Sequence, residues 1–157
     1  MAETTRPRGL YFEEFETGYT VETPSRTITE ADVTLFAGLS GDYNQLHTDV
    51  EFAQGALFGE RIAHGLLVLS IASGLASRLG LIEGTTLAFT GLEWKFRAPV
   101  KFGDTVRVRL AVKQKKAMRR LGGGFVFFAV SILNQRDEIV QKGVWKVLLK
   151  SAPSVPL

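Results

Sequence analysis

The sequence predicts an α+β fold, a single domain in which an antiparallel sheet wraps around one long helix. Two observations carry this. The segment from His64 to about Leu79 is apolar on every side, with Leu66, Leu67, Val68, Leu69, Ile71, Ala72, Leu75 and Ala76, and such a helix belongs in the middle of a fold. After it come about four stretches of strand pattern, and one more strand-like stretch precedes it. A chain of 157 residues falls within the range of one domain, and no Gly/Ser/Pro linker, internal repeat or low-complexity block divides it. The core is expected over residues 10–150, with residues 1–9 and 151–157 as flexible ends.

In chain order, Thr20 to Ile28 has strand character through Val21, Thr23, Thr27 and Ile28. Thr29 then has the chemistry of an N-cap, with Glu30 and Asp32 in a first turn where negative charge is favoured. That helix carries Val33, Leu35 and Phe36 and is expected to stop near Gly38. A polar loop runs from Ser40 to Asp49, and Asp49 is placed to cap a short turn through Phe52 and Ala53. Beyond the central helix, Leu92, Trp94 and Phe96 alternate with Glu93, Lys95 and Arg97, and Pro99 ends that strand. Val106, Val108, Leu110 and Val112 alternate in the next. Phe125 to Leu133 is near-continuously apolar and is expected to be covered on both faces, with Trp94, Phe96, Phe125, Phe127 and Phe128 in the core. Asn134 to Glu138 reads as a hairpin turn, and Gly143 to Lys150 closes the sheet. Exposed strands at its edges invite pairing with a second copy.

Composition narrows the chemistry. The chain is 45% hydrophobic and 22% charged, ordinary for a globular domain, which excludes a disordered, collagenous or coiled-coil chain. Its net charge of +3 permits an anionic ligand without demanding nucleic acid. With no cysteine, disulfides, zinc–thiolate sites and thiol nucleophiles are excluded. Residues 1–7 carry no apolar run of the kind a secretory signal needs. The longest uncharged stretch, between Arg61 and Arg78, has 16 residues, short of the ~20 that cross a bilayer. A soluble, cytoplasmic protein is expected.

The candidate site rests on the two histidines. Asp42 and His47 share a loop rich in Gly and Asn and could converge on one water, with Asn44 orienting it; a carboxylate and an imidazole suit proton transfer near neutral pH. The alternative is that Asp42 and Asn44 form Asx turns and His47 closes the loop. His64-Gly65 opens the apolar helix, where free backbone N–H groups can hold an anion and glycine lets a ligand approach; the alternative is a plain helix start with a satisfied histidine. Ser73 lies about two turns further, near the same helix face, and in a buried helix a small residue usually just permits close packing. Asp42, His47, Asp49 and His64 lack the HxH or HExxH spacing of a metal site, so no metal is expected. Lys113 to Arg120 is the strongest charge cluster and reads as a solvated hairpin end, or as cations near an anionic phosphate.

Three blocks resemble the MaoC-like dehydratases, the (R)-specific enoyl-CoA hydratase family. They are Phe36 through Gly41-Asp42-Tyr43-Asn44-Gln45-Leu46-His47, then Glu60-Arg61-Ile62-Ala63-His64-Gly65, then Trp94 to Asp104. They stand in family order and the resemblance covers roughly residues 10–150. It implies a hot-dog fold and reversible syn hydration of a trans-2-enoyl-CoA to a (3R)-3-hydroxyacyl-CoA, with no cofactor. By position it implies that Asp42 and His47 handle the water, that Asn44 helps fix it, that the Gly65 N–H holds the thioester oxyanion, and that Ser73 supports the site. The departure is Gln45, where the family has proline; a less constrained loop and a side-chain amide there bear on substrate choice, and His64 stands beside it among the expected substrate-binding residues. An acyl-CoA thioesterase on the same fold is the rival enzyme, although Leu66 to Ser77 lacks the carboxylate it would use; a non-catalytic acyl-CoA-binding regulatory protein is the rival of another class. The expected partners are an acyl-CoA and a second copy of the chain in a homodimer or larger homo-oligomer, not nucleic acid or membrane.

Overall fold

The computed structural model describes residues 6–153. Six strands form one antiparallel sheet: β1 (Thr20–Glu22), β2 (Arg26–Thr27), β3 (Thr86–Phe96), β4 (Thr105–Met118), β5 (Gly123–Leu133) and β6 (Ile139–Lys150). Their spatial order is β1-β4-β5-β6-β3, with β2 also on β4. Four helices accompany them: α1 (Glu30–Ser40), α2 (Gln45–Thr48), α3 (Val50–Gln54) and α4 (Gly65–Arg78). The sheet wraps α4, the hot-dog arrangement. The core is the meeting of two periodicities: Val106, Val108, Leu110 and Val112 of β4, Val126, Phe128, Val130 and Ile132 of β5, and Trp145, Val147 and Leu149 of β6 face Leu67, Val68, Ala72 and Leu75 of α4.

Local chemistry sets the element boundaries. Thr29 caps α1 as expected: its hydroxyl accepts from Asp32 N–H, and the Asp32 carboxylate accepts from Thr29 N–H at 2.9 Å. The helix does not stop at Gly38. It runs to Ser40 and ends at Gly41, whose φ of 77° is the left-handed conformation glycine adopts without strain. Asp49 caps α3 by accepting from Phe52 N–H at 2.9 Å. Thr20 to Ile28 is not one strand. Thr23, Pro24 and Ser25 interrupt it between β1 and β2, since proline supplies no ladder N–H, and the Thr23 hydroxyl accepts from Val108 N–H instead.

Three further expectations change. Helix α4 is enclosed on one side only; Leu66, Ser70, Ser73, Gly74 and Ser77 face outward, because one chain's sheet covers a single face. Strand β5 alternates in burial, and Phe125 and Phe127 lie on its outer face beneath the Lys146 ammonium, 4.1 and 5.7 Å from their centroids. Phe96, at the end of the edge strand β3, is exposed as well. The basic run is not all a solvated end, since Lys115 donates to the Glu13 and Phe15 carbonyls and sits over the Phe12 ring, fastening the N-terminal segment to the sheet. Within that segment the Gly9 and Leu10 N–H groups donate to the Glu83 and Leu81 carbonyls. At the other end Ser151 N–H donates to the Gly122 carbonyl at 2.9 Å and Ala152 N–H to the Glu13 carboxylate at 3.0 Å, while residues 1–5 and 154–157 lie outside the described residues.

Candidate active site

The site forms where two loops meet the N-terminus of α4. In the first loop, Asn44 caps α2, its side-chain oxygen accepting from Leu46 N–H at 3.0 Å. The resulting single turn carries His47 inward. Asp42 accepts from Asn44 N–H at 3.2 Å, so the Asx-turn reading of Asp42 and Asn44 holds alongside any chemical one. The second loop supplies Ile62, Ala63 and His64.

The histidines brace the loops against each other. His47 Nδ1 lies 2.7 Å from the Ile62 carbonyl oxygen, and His64 Nε2 lies 2.9 Å from the carbonyl oxygen of Asp42. A carbonyl only accepts, so each of these nitrogens carries a proton and donates. The nitrogens left over are Nε2 on His47 and Nδ1 on His64. The rings lie against each other with centroids 3.8 Å apart. His64 is buried, its Nδ1 has no hydrogen-bond partner, and Phe36 of α1 packs on its ring at 5.0 Å.

Burial, the largest influence, holds His47 below the ordinary imidazole value; the neighbouring His64 works in the same direction, while the Ile62 carbonyl and Asp42 oppose it. The ring is thus neutral near pH 7, with a basic nitrogen available. Asp42, His47 and His64 place one ligand-type atom each within 4.8 Å of one another. A divalent cation at this site would have to use that carboxylate and one ring nitrogen of each histidine.

A cavity of about 420 Å³ opens beside the cluster, and His47 and Gly65 both line it. Its walls are Phe58, Ile62, Leu66 and the strand-end residues Phe96 to Val100, with Arg97 as its cation and Gln141 as its buried amide. At Gly65 the Phe96 ring comes so close that a Cβ would lie 2.6 Å from it, so only glycine leaves the helix start open. The first N–H groups of α4 have no partner within the helix, which gives this wall of the cavity donors suited to a developing anion.

Not every expected residue lines this cavity: Asp42 and Asn44 are exposed and stand outside its lining, although the Asp42 carboxylate is close to His47. His64 supports it from behind. Gln45 is exposed as the first residue of α2. The Ser73 hydroxyl donates to the Ser70 carbonyl at 2.7 Å, and Ser73 borders a separate apolar cavity of about 140 Å³ with Phe89, Phe128 and Trp145. None of Lys113 to Arg120 borders the larger cavity. Gln141 is the residue the sequence reading missed. Its only signal is parity: it shares the alternation of Trp145, Val147 and Leu149, and so is a polar residue at an inward position of β6.

A sheet wrapped on a helix is the hot-dog fold, and His47 and the first residue of that helix line one cavity in it. Residues 13–124 match the MaoC like domain, and the chain belongs to that family. It is 45% identical over 110 residues to the Klebsiella aerogenes protein named Protein MaoC, covering 69% of this chain and 32% of that one, so the chain spans about a third of that relative's length. It is 40% identical over 103 residues to the (R)-specific enoyl-CoA hydratase of Rhodospirillum rubrum, covering 65% of this chain and 69% of that protein. The crystal structure of a monoamine oxidase regulatory protein of Archaeoglobus superposes with a TM-score of 0.87 at 37% identity, covering 92% of this chain and 97% of that one.

Proposed function

We propose that the protein adds water reversibly to a trans-2-enoyl thioester of CoA, giving the (3R)-3-hydroxyacyl-CoA, as a carbon–oxygen lyase. The observation that carries this reading is the shared cavity: His47, whose Nδ1 is committed to the Ile62 carbonyl, and Gly65 at the N-terminus of α4 line the same space. With the thioester oxygen at Gly65 N–H, the enoyl C3 comes within reach of a water held between Asp42 and His47. His47 Nε2 takes a proton as the water oxygen bonds to C3, and the C2–C3 π electrons shift toward the carbonyl. The enolate oxygen gains charge, which Gly65 N–H at the positive helix end stabilises by about 2.7–4 kcal/mol, the usual worth of such a donor. The imidazolium then returns the proton to C2 from the face the water used, which makes the addition syn. The Asp42 carboxylate accepts from the water's other hydrogen and supports the imidazolium.

The family name and the hydratase relative support this chemistry, and no step needs a cofactor. Arg97 at the cavity is the cation for the carrier's phosphates, in place of Lys113 to Arg120. The subunits are expected to join along β3: among the described residues no strand pairs with its outer edge, and Leu87, Phe89, Leu92 and Phe96 on it are exposed. Among the described residues no helix is long and apolar enough to cross a membrane. A second reading, a non-catalytic acyl-thioester-binding protein, is favoured by the likeness to a structure titled as a regulatory protein. Incubation with crotonyl-CoA separates the two. A hydratase removes the conjugated-enoyl absorbance and yields 3-hydroxybutyryl-CoA by mass, whereas a binding protein retains the ligand unchanged.

A further inference from the structure

We infer that Lys95 and Lys142, together with Arg97, form a subsite on the outer face of the sheet that holds the phosphates of the CoA carrier. This rests on the hydratase reading above and extends it from the acyl end of the ligand to the nucleotide end. Lys95 of β3 and Lys142 of β6 are direct cross-strand partners, and both are exposed. Directly opposed residues have Cβ atoms about 4.5–5.5 Å apart, and like charges placed so destabilise a sheet. No carboxylate relieves them: among the described residues neither lysine makes an ion pair, and nor does Arg97.

Neighbouring cations are treated differently. Arg61 is paired with Glu30, and Lys101 with Glu60. Arg109, in the same cross-strand row through Ser131, is paired with Glu22. Glu93, two residues before Lys95 on β3, pairs with neither lysine. The register also puts the cations beside the cavity. Phe96, between Lys95 and Arg97, lies against Gly65, and Arg97 itself lines the cavity. Side chains alternate along a strand, so Lys95 stands on the face opposite Phe96 with Lys142 next to it. A carrier leaving the cavity past Arg97 and rounding this strand end meets the two lysines. CoA has the pantetheine arm to do so, and beyond it a diphosphate and a ribose phosphate. An ammonium group is a compact charge with three rotatable donors, which suits a phosphate. The basic run Lys113 to Arg120 is elsewhere: Lys116 pairs with Phe125, and Phe125 with Leu148, about 20 Å along β6 from Lys142. A second copy joined along the edge of β3 extends the sheet and leaves its outer face open.

The test measures binding of CoA, dephospho-CoA and pantetheine by calorimetry, at low and high salt, to wild type and to the double variant Lys95→Gln, Lys142→Gln. Kinetics on crotonyl-CoA and crotonyl-pantetheine accompany it. Wild type is expected to bind CoA about tenfold or more tighter than pantetheine, with the margin shrinking as salt rises. In the double variant that margin should fall about three- to tenfold, as befits two exposed charge contacts. KM for crotonyl-CoA should rise by a similar factor with kcat within about twofold. The unfolding temperature should equal or exceed that of wild type, because the opposed charges are gone. A preference for CoA over dephospho-CoA that disappears in the variant assigns the lysines to the ribose phosphate; one that persists assigns them to the diphosphate. An unchanged margin, or equal losses for CoA and pantetheine, overturns the inference. So does a wild type that binds pantetheine as tightly as CoA, the result expected if the carrier is a protein. A wild type that binds CoA through these lysines but hydrates no enoyl-CoA overturns the hydratase reading and leaves the subsite standing.

Discussion

His47 and His64 hold each other's loops: His47 Nδ1–H donates to the carbonyl of Ile62, two residues before His64, while His64 Nε2–H donates to the carbonyl of Asp42, five residues before His47. One histidine is left facing the cavity and the other is buried behind it. The division of labour follows from burial, and it separates the expected effects of changing each.

His64→Ala removes the brace and leaves the Asp42 carbonyl without its donor. An expected loss of about 2–3 kcal/mol, from an unsatisfied buried acceptor together with lost packing on Phe36, is measurable by urea unfolding. Asp42 is displaced with its loop, so activity falls even under conditions where the variant is folded. A His64→Ala protein of wild-type stability would contradict the brace.

The pH dependence follows from His47. Its folded value lies below the ordinary 6.5, chiefly through burial, so the neutral ring is the favoured folded form. The sign is that of a depressed group: the stability it contributes is present above the unfolded value and is lost as pH falls through the folded one. As the base, it must also be neutral to act. kcat/KM should therefore be level near pH 7 and show an acid limb with its midpoint below 6.5. A limb centred above 6.5 would mean that another group titrates.

Gly65→Ala tests the close approach at the helix start. The new Cβ would lie 2.6 and 2.7 Å from two ring atoms of Phe96, an exposed side chain that can swing away across the cavity. Stability should change by less than about 1 kcal/mol, since alanine is the better helix former. kcat/KM should fall about tenfold or more, because the displaced ring blocks the cavity and a misplaced donor is costly. Adding Phe96→Leu should recover part of that loss; no recovery would place the fault in the helix itself.

The outer edge of β3 gives a test of assembly. Leu92→Lys on this strand should leave the chain folded, because Leu92 is exposed within the single subunit. Wild type is expected to sediment at twice the 17.3 kDa of the chain or above, and the variant at the single-chain mass. A wild-type monomer would remove the proposed interface.

Local rules made much of this legible in the sequence. Thr29 and Asp49 announce helix starts because capping is decided within three residues, and the alternation of β4 announces its inward face because side-chain direction is fixed by parity. Spacing offered Asp42, His47 and Gly65 only beside a plain structural alternative, and the family resemblance gave them their expected roles. What spacing could not supply was the tertiary contact: that His47 turns Nδ1 to Ile62 and keeps Nε2 free, that Lys115 crosses to the N-terminal segment, and that Phe125 and Phe127 face away from the core. An apolar run such as Phe125 to Leu133 reads as buried on both sides until a lysine from the next strand is seen to cover its outer aromatics. Gln141 shows the same limit. Its parity marks it as inward, but its partners, Trp94 and Gly65, are 47 and 76 residues away.

The central claim is that Asp42 and His47 move the proton of a water added across an enoyl thioester. The most direct measurement is the initial rate of crotonyl-CoA hydration by wild type, Asp42→Asn and His47→Ala, with thermal unfolding as a control for folding. The account predicts rapid loss of the enoyl absorbance with wild type, and a fall of about 10²- to 10⁴-fold in each folded variant. Near-wild-type hydration by both variants would contradict it.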